Sequence, residues 1–180
     1  MPFTFTSLSI PGVTLVEPKT FFDERGYFFE SFKSSDFQKA GLPTLFVQDN
    51  FSFSKKGVIR GLHYQQSPKA QGKLISVIKG RAWDVAVDIR QDSETFLKWV
   101  ALELDDQNHA MLYIPPGFAH GFLALSDEVL LLYKCTNEYD PQADRGIRWD
   151  DPDIVIQWPI KKPILSVKDR QLPYVQDVRF

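Results

Sequence analysis

Apolar and polar side chains alternate with a period of two along most of this sequence. The alternating runs are rich in Val, Ile, Phe, Tyr and Trp and are separated by Gly, Pro, Asn and Asp, which is how strands and their turns read in a sequence. The spacing predicts strands over 46–52, 73–79, 83–89, 96–104, 111–114, 121–125 and 129–136, at intervals suited to a sandwich or barrel. Gly80-Arg81 reads as the turn of a hairpin joining the second and third of these. Helix is scarce. One short helix is expected over 36–40, where Ser35 and Gln38 have the spacing of a capping box and Gly41 can close the last turn. Beyond Tyr139 the chain becomes Pro-rich and acidic, through Trp149-Asp150-Asp151-Pro152 and Trp158-Pro159, and reads as a tail laid over a β core. No repeat, low-complexity tract or linker divides it, so the expectation is an all-β protein with a single domain over 1–180.

Composition supports that picture and narrows the function. A chain of 180 residues with 43% hydrophobic content is long enough and apolar enough to bury a core. The net charge of −2 comes from intermixed acids and bases, which excludes a general field for nucleic acid and a polybasic membrane patch. The single cysteine, Cys135, has no partner for an internal disulfide, and the N-terminus lacks a signal-peptide pattern. A cytoplasmic protein is expected. Nothing approaches the ~18 consecutive apolar residues of a membrane-spanning helix.

Only three histidines are present, and two lie in suggestive surroundings. His63 sits in Arg60-Gly61-Leu62-His63-Tyr64-Gln65, and His120 in Ile114-Pro115-Pro116-Gly117-Phe118-Ala119-His120-Gly121-Phe122. A partly buried imidazole oriented by a carboxylate can remove a proton from carbon beside a carbonyl. Asp84 and Asp169 are both candidates for that carboxylate, and sequence does not choose between them. Strict alternation would put Arg60 and His63 on opposite faces, unless Gly61 permits a bulge. Lys73 could stabilise an enolate oxyanion, although a solvated lysine at a strand end is the plainer reading. Tyr133 falls on the face opposite Leu132 and Lys134, where its phenol could return a proton or simply pack in the core. Arg25 and Arg60 could bind phosphate oxygens, and Tyr139 could stack on a base. No Gly-rich phosphate loop accompanies them. Metal binding is the rival chemistry, since His63 and His120 could supply two ligands. There is no His-x-His pair, and the cysteine is isolated in an apolar strand, so a metal-free pocket is expected.

Taken jointly, these residues resemble the dTDP-4-dehydrorhamnose 3,5-epimerase family over nearly the whole chain. The segments that carry the resemblance are Phe22-Asp23-Glu24-Arg25-Gly26-Tyr27-Phe28-Phe29-Glu30, Gln48-Asp49-Asn50, Gly57-Val58-Ile59-Arg60-Gly61-Leu62-His63-Tyr64-Gln65, Gly72-Lys73-Leu74, Asp84-Val85-Ala86-Val87-Asp88-Ile89-Arg90, Pro115 to Phe122 and Ser166-Val167-Lys168-Asp169. The resemblance implies a cupin-like jelly roll (a double-stranded β-helix) with short peripheral helices, working as a homodimer without metal or organic cofactor. It implies inversion of C3 and C5 of dTDP-4-dehydro-6-deoxy-D-glucose through an enolate. In that scheme His63 is the base held by Asp169, Tyr133 the acid and Lys73 the oxyanion cation. Arg25, Glu30, Gln48, Asn50, Arg60, His120, Asp144 and Lys168 map onto substrate-binding positions, and Tyr139 onto the base-stacking position. An epimerase acting at one carbon, or a nucleotide-sugar-binding module without turnover, would share much of this pattern.

Overall fold

The computed structural model describes residues 2–180. Thirteen strands and two short helices follow in chain order: β1 (Phe3–Ser7), β2 (Thr14–Pro18), β3 (Phe21–Asp23), β4 (Gly26–Phe28), α1 (Ser34–Lys39), β5 (Gln48–Lys55), β6 (Ile59–Gln65), β7 (Lys73–Lys79), β8 (Arg81–Asp88), β9 (Trp99–Asp105), β10 (Met111–Ile114), β11 (Phe118–Ala124), β12 (Glu128–Cys135), β13 (Asp144–Gly146) and α2 (Val167–Arg170). They form a six-stranded sheet in the order β1-β2-β10-β7-β12-β5, a five-stranded sheet in the order β13-β6-β11-β8-β9, and the separate β3-β4 hairpin. Every strand pairing within these sheets is antiparallel. This is the expected jelly roll.

The two large sheets face each other because their inward alternate positions are apolar. Ile75 and Val77 of β7, Leu112 and Ile114 of β10 and Leu131 of β12 meet Ala82 and Ala86 of β8 and Phe118 and Phe122 of β11. Each sheet also buries part of its outer face. Leu62, Val85, Val87 and Ala119 are covered by Ile147, Ile154, Trp158 and Phe180 of the C-terminal tail, as the tail's composition suggested. Phe37 of α1 packs with Phe3, Val16, Leu74 and Met111 on the other sheet.

Two local expectations are corrected. Strands β7 and β8 are not a hairpin: β7 pairs with β10 and β12, and β8 with β11 and β9. The chain crosses from one sheet to the other at Gly80, whose φ is +83° and where a Cβ would stand 2.1 Å from the Glu128 carbonyl oxygen. The same alternation and the same turn residues serve a crossover and a hairpin equally well. In α1 the N-cap is Lys33, which makes no side-chain capping bond; the helix starts ahead of Ser35, so the Ser35/Gln38 box does not form. Gly41, at φ +73°, does follow the last turn, its N–H donating to Gln38 O at 3.0 Å.

Candidate active site

The conjectured bulge exists, and it builds the site. On β11, His120 and Phe122 are two apart and therefore share a face; their partners on β6 are His63 and Arg60. Two residues of β6, Gly61 and Leu62, thus oppose the single Gly121, so Arg60 and His63 come to the same side. The strands approach so closely here that a Cβ on Gly61 would lie 2.6 Å from Gly121 Cα, and one on Gly121 would lie 2.9 Å from Arg60 O. Only glycine fits at both places.

Two adjoining chambers, lined from both sheets, share part of their walls. The outer one, of about 290 Å³, is lined by Gln48, Asn50, His63, Gln65, Gln71, Lys73, Tyr133, Tyr139, Asp144 and Lys168, among others. The inner one, of about 220 Å³, is lined by Ser52, Arg60, His63, Lys73, His120, Phe122 and Tyr133. His63, Lys73 and Tyr133 border both chambers, which puts them at the junction. His63 projects from β6 of the five-stranded sheet, whereas Tyr133 and Lys73 project from β12 and β7 of the six-stranded sheet.

The choice of carboxylate is now made by geometry. His63 Nε2 lies 2.7 Å from Asp169 Oδ1, while Asp84 pairs with His120, Nε2 to Oδ2 at 2.9 Å. Asp169 is presented by the single turn of α2, where Ser166 Oγ accepts from the Asp169 N–H at 3.0 Å. Burial pushes the Asp169 carboxyl up, but the bonds to His63 and Ser166 and the charge of Lys168 outweigh it and hold its pKa below the usual value. An ionised Asp169 accepts from Nε2–H and leaves the Nδ1 lone pair free to take a proton. Asp84 Oδ1 is buried with no partner.

Lys73 has no carboxylate within ion-pairing distance among the described residues. Burial lowers its pKa, against the more distant pull of Cys135, Asp144 and Asp84. Burial raises that of the Tyr133 phenol, with Arg60 working in the opposite sense. Lys73, without an ion-pair partner, and the Tyr133 phenol thus border the same cavity as the His63 imidazole.

The remaining candidates divide. Gln48 donates to Asn50 Oδ1 and accepts from the Tyr139 N–H. Asp144 accepts from Tyr139 Oη at 3.2 Å and forms a close ion pair with Lys168. Arg60 is tethered by Ser54 Oγ and Phe53 O, both at 2.9 Å. Arg25 and Glu30 are not brought to this cavity: Arg25 lies on the exposed β3-β4 hairpin, bound to Asp23, and Glu30 stands 4.0 Å from Lys33. Sequence reasoning overlooked Ser52, Gln65 and Gln71. Alternation from Gln48 and Asn50 would have found Ser52, and alternation from His63 along β6 would have found Gln65; Gln71 lies in the connection to β7, which no periodicity marks. Among the described residues, no group of three or more His, Cys, Asp and Glu side chains is placed to hold a metal.

The sequence profile of the dTDP-4-dehydrorhamnose 3,5-epimerases matches residues 7–177. The chain belongs to the dTDP-4-dehydrorhamnose 3,5-epimerase family. The family's enzyme from Methanothermobacter thermautotrophicus is 52% identical over 171 residues, covering 93% of this chain and 92% of that one. The Shigella flexneri enzyme is 54% identical over 161 residues, covering 89% of each. The crystal structure of the Legionella pneumophila dTDP-6-deoxy-D-glucose-3,5-epimerase in complex with dTDP-4-keto-L-rhamnose matches with a TM-score of 0.94 at 44% identity, over 98% of this chain and 95% of that one. The match to the family therefore runs through every strand that lines the cavity.

Proposed function

We propose that this chain, acting as one domain over 1–180, inverts C3 and C5 of dTDP-4-dehydro-6-deoxy-D-glucose to give dTDP-4-dehydro-L-rhamnose, a step of dTDP-L-rhamnose biosynthesis. Both carbons flank the C4 ketone, so loss of either proton gives an enolate. His63, oriented by Asp169, removes the proton. Lys73 stabilises the oxyanion on O4. Tyr133 delivers a proton from the other side, and Tyr139, Arg60, Gln48, Asn50, His120, Asp144 and Lys168 hold the nucleotide sugar. The observation that carries this reading is that His63 and Tyr133 stand on opposing sheets with Lys73 at the same junction. Inversion requires a base and an acid on opposite faces of the ring.

The scheme needs only a base, an acid and a fixed cation, so we read it as independent of metal and organic cofactor. Exhaustive chelation should leave activity intact. The working form is a homodimer. Phe51 and Phe53 on the edge strand β5 are 66% and 50% exposed, and Phe22, Tyr27 and Phe28 of the hairpin are exposed as well, a spread of aromatic surface that a second copy would cover. On this reading Arg25 and Glu30 reach substrate across the subunit boundary. A nucleotide-sugar substrate and a free thiol at Cys135 suit a cytoplasmic enzyme.

Incubation with dTDP-4-dehydro-6-deoxy-D-glucose in deuterated water tests the reading. Deuterium should enter at both C3 and C5. Incorporation at one carbon only would make the protein a single-centre epimerase, and none would make it a binding protein.

A further inference from the structure

Strand β5 carries its polar side chains inward and its aromatic ones outward. Gln48, Asn50, Ser52 and Ser54 alternate on the inner side, and three of the four are held in place. Gln48 bonds Asn50, Asn50 Nδ2 donates to Cys135 Sγ at 3.6 Å, and Ser54 Oγ accepts from Arg60 Nε. Ser52 is the exception. Its hydroxyl is buried with no hydrogen-bond partner, and the residue lines the inner chamber together with Arg60, His63, Lys73, His120 and Phe122. A buried hydroxyl without a partner is unfavourable, and it calls for an explanation in a chamber shaped for a ligand.

We propose that Ser52 is a specificity-determining residue that hydrogen-bonds the C2 hydroxyl of the sugar ring. The proposal rests on the epimerase reading above. Chemistry narrows the choice of group: C3 and C5 both invert, C4 carries the oxyanion, and C6 has no hydroxyl. Only the C2 hydroxyl keeps its place through both inversions, so only it can hold one fixed contact throughout. C2 also adjoins C1, which bears the diphosphate. Arg60, the planar cation suited to phosphate oxygens, lines the same chamber and is bonded to Ser54, two residues along β5 from Ser52.

Steady-state kinetics of the wild type and Ser52→Ala, on the dTDP-linked 4-keto-6-deoxy sugar and on its 2-deoxy counterpart, test this. The wild type is expected to prefer the 2-hydroxy sugar. Ser52→Ala should lower kcat/KM for that sugar roughly tenfold, the loss typical of one neutral hydrogen bond, and lower it much less for the 2-deoxy sugar. The preference then collapses, and turnover of the 2-deoxy sugar shows that the variant is folded. Equal losses on the two sugars, or an unaltered preference in the variant, would overturn the Ser52 assignment and leave the epimerase reading standing. Failure of the wild type to exchange protons at C3 and C5 would overturn that reading and the role of Ser52 with it.

Discussion

His63 and Asp169 are separated by 106 positions in the chain and meet at 2.7 Å, and the proposed chemistry starts from that contact. Replacing His63 with Asn should reduce deuterium exchange at both carbons about 100-fold or more, while dTDP binding, followed by calorimetry, stays close to wild type. Tyr133→Phe removes the phenol and keeps the ring packing; exchange with solvent should persist, and formation of the doubly inverted product should fall sharply in the same assay. Lys73 adds a pH signature. Burial depresses its pKa, and an ammonium is charged only below its pKa, so oxyanion stabilisation is lost as pH rises through the lowered value. A pH–kcat profile should turn down below the ordinary lysine value of ~10.4, and Lys73→Arg should move that limb to higher pH.

At the scale of elements, the β6–β11 pair places Arg60, His63 and His120 on one face through a bulge that two glycines permit. A second device secures the end of β8. Asp88, fully buried, accepts bonds from Arg90, Ser93 and Thr95 and ties the 90–98 connection to β9. Burial by itself would push the Asp88 pKa up, but those three partners outweigh it and hold it well below the usual carboxylate range. The depressed native pKa stabilises the fold fully above the unfolded value of ~3.9, and that stability is lost as pH falls towards the native one. Asp88→Asn should therefore cost about 3 kcal/mol at pH 7. In thermal melts the gap from wild type should narrow as pH drops below about 4.

For the whole molecule, the arrangement of sheets explains why polar side chains can be gathered inside a β protein at all. The apolar core fills one part of the space between the sheets, and the cavity occupies another, with its polar walls supplied by β5, β6, β7, β11 and β12. Exposed Phe51 and Phe53 make β5 apolar outside and polar inside, the reverse of a solvent-facing edge strand. In the proposed homodimer, replacing both with Ser should give a monomer by light scattering. Activity should fall with it, because Arg25 and Glu30 would no longer reach a neighbouring cavity.

Alternation along the chain was enough to show an all-β protein, to locate most strands of the two large sheets to within a few residues, and to put Tyr133 on the face away from Leu132 and Lys134. Period-two patterning records which side of a strand is buried, and burial is local to each strand. Motif residues likewise marked His63, Lys73 and Asp169 as candidates. What alternation cannot encode is which strand lies beside which. The apparent hairpin at Gly80 is a crossover between sheets for that reason, while β1 to β4, β6 and β13 were not among the predicted strands: β3, β4 and β13 have three residues each, and β6 loses its alternation at the bulge opposite Gly121. Motif by motif the sequence left Asp84 and Asp169 level, and only the family resemblance favoured Asp169; the contact itself depends on α2 docking against β6. The same is true of Arg60 and His63: their shared face depends on an extra residue in β6 opposite Gly121, a register set by two backbones in contact.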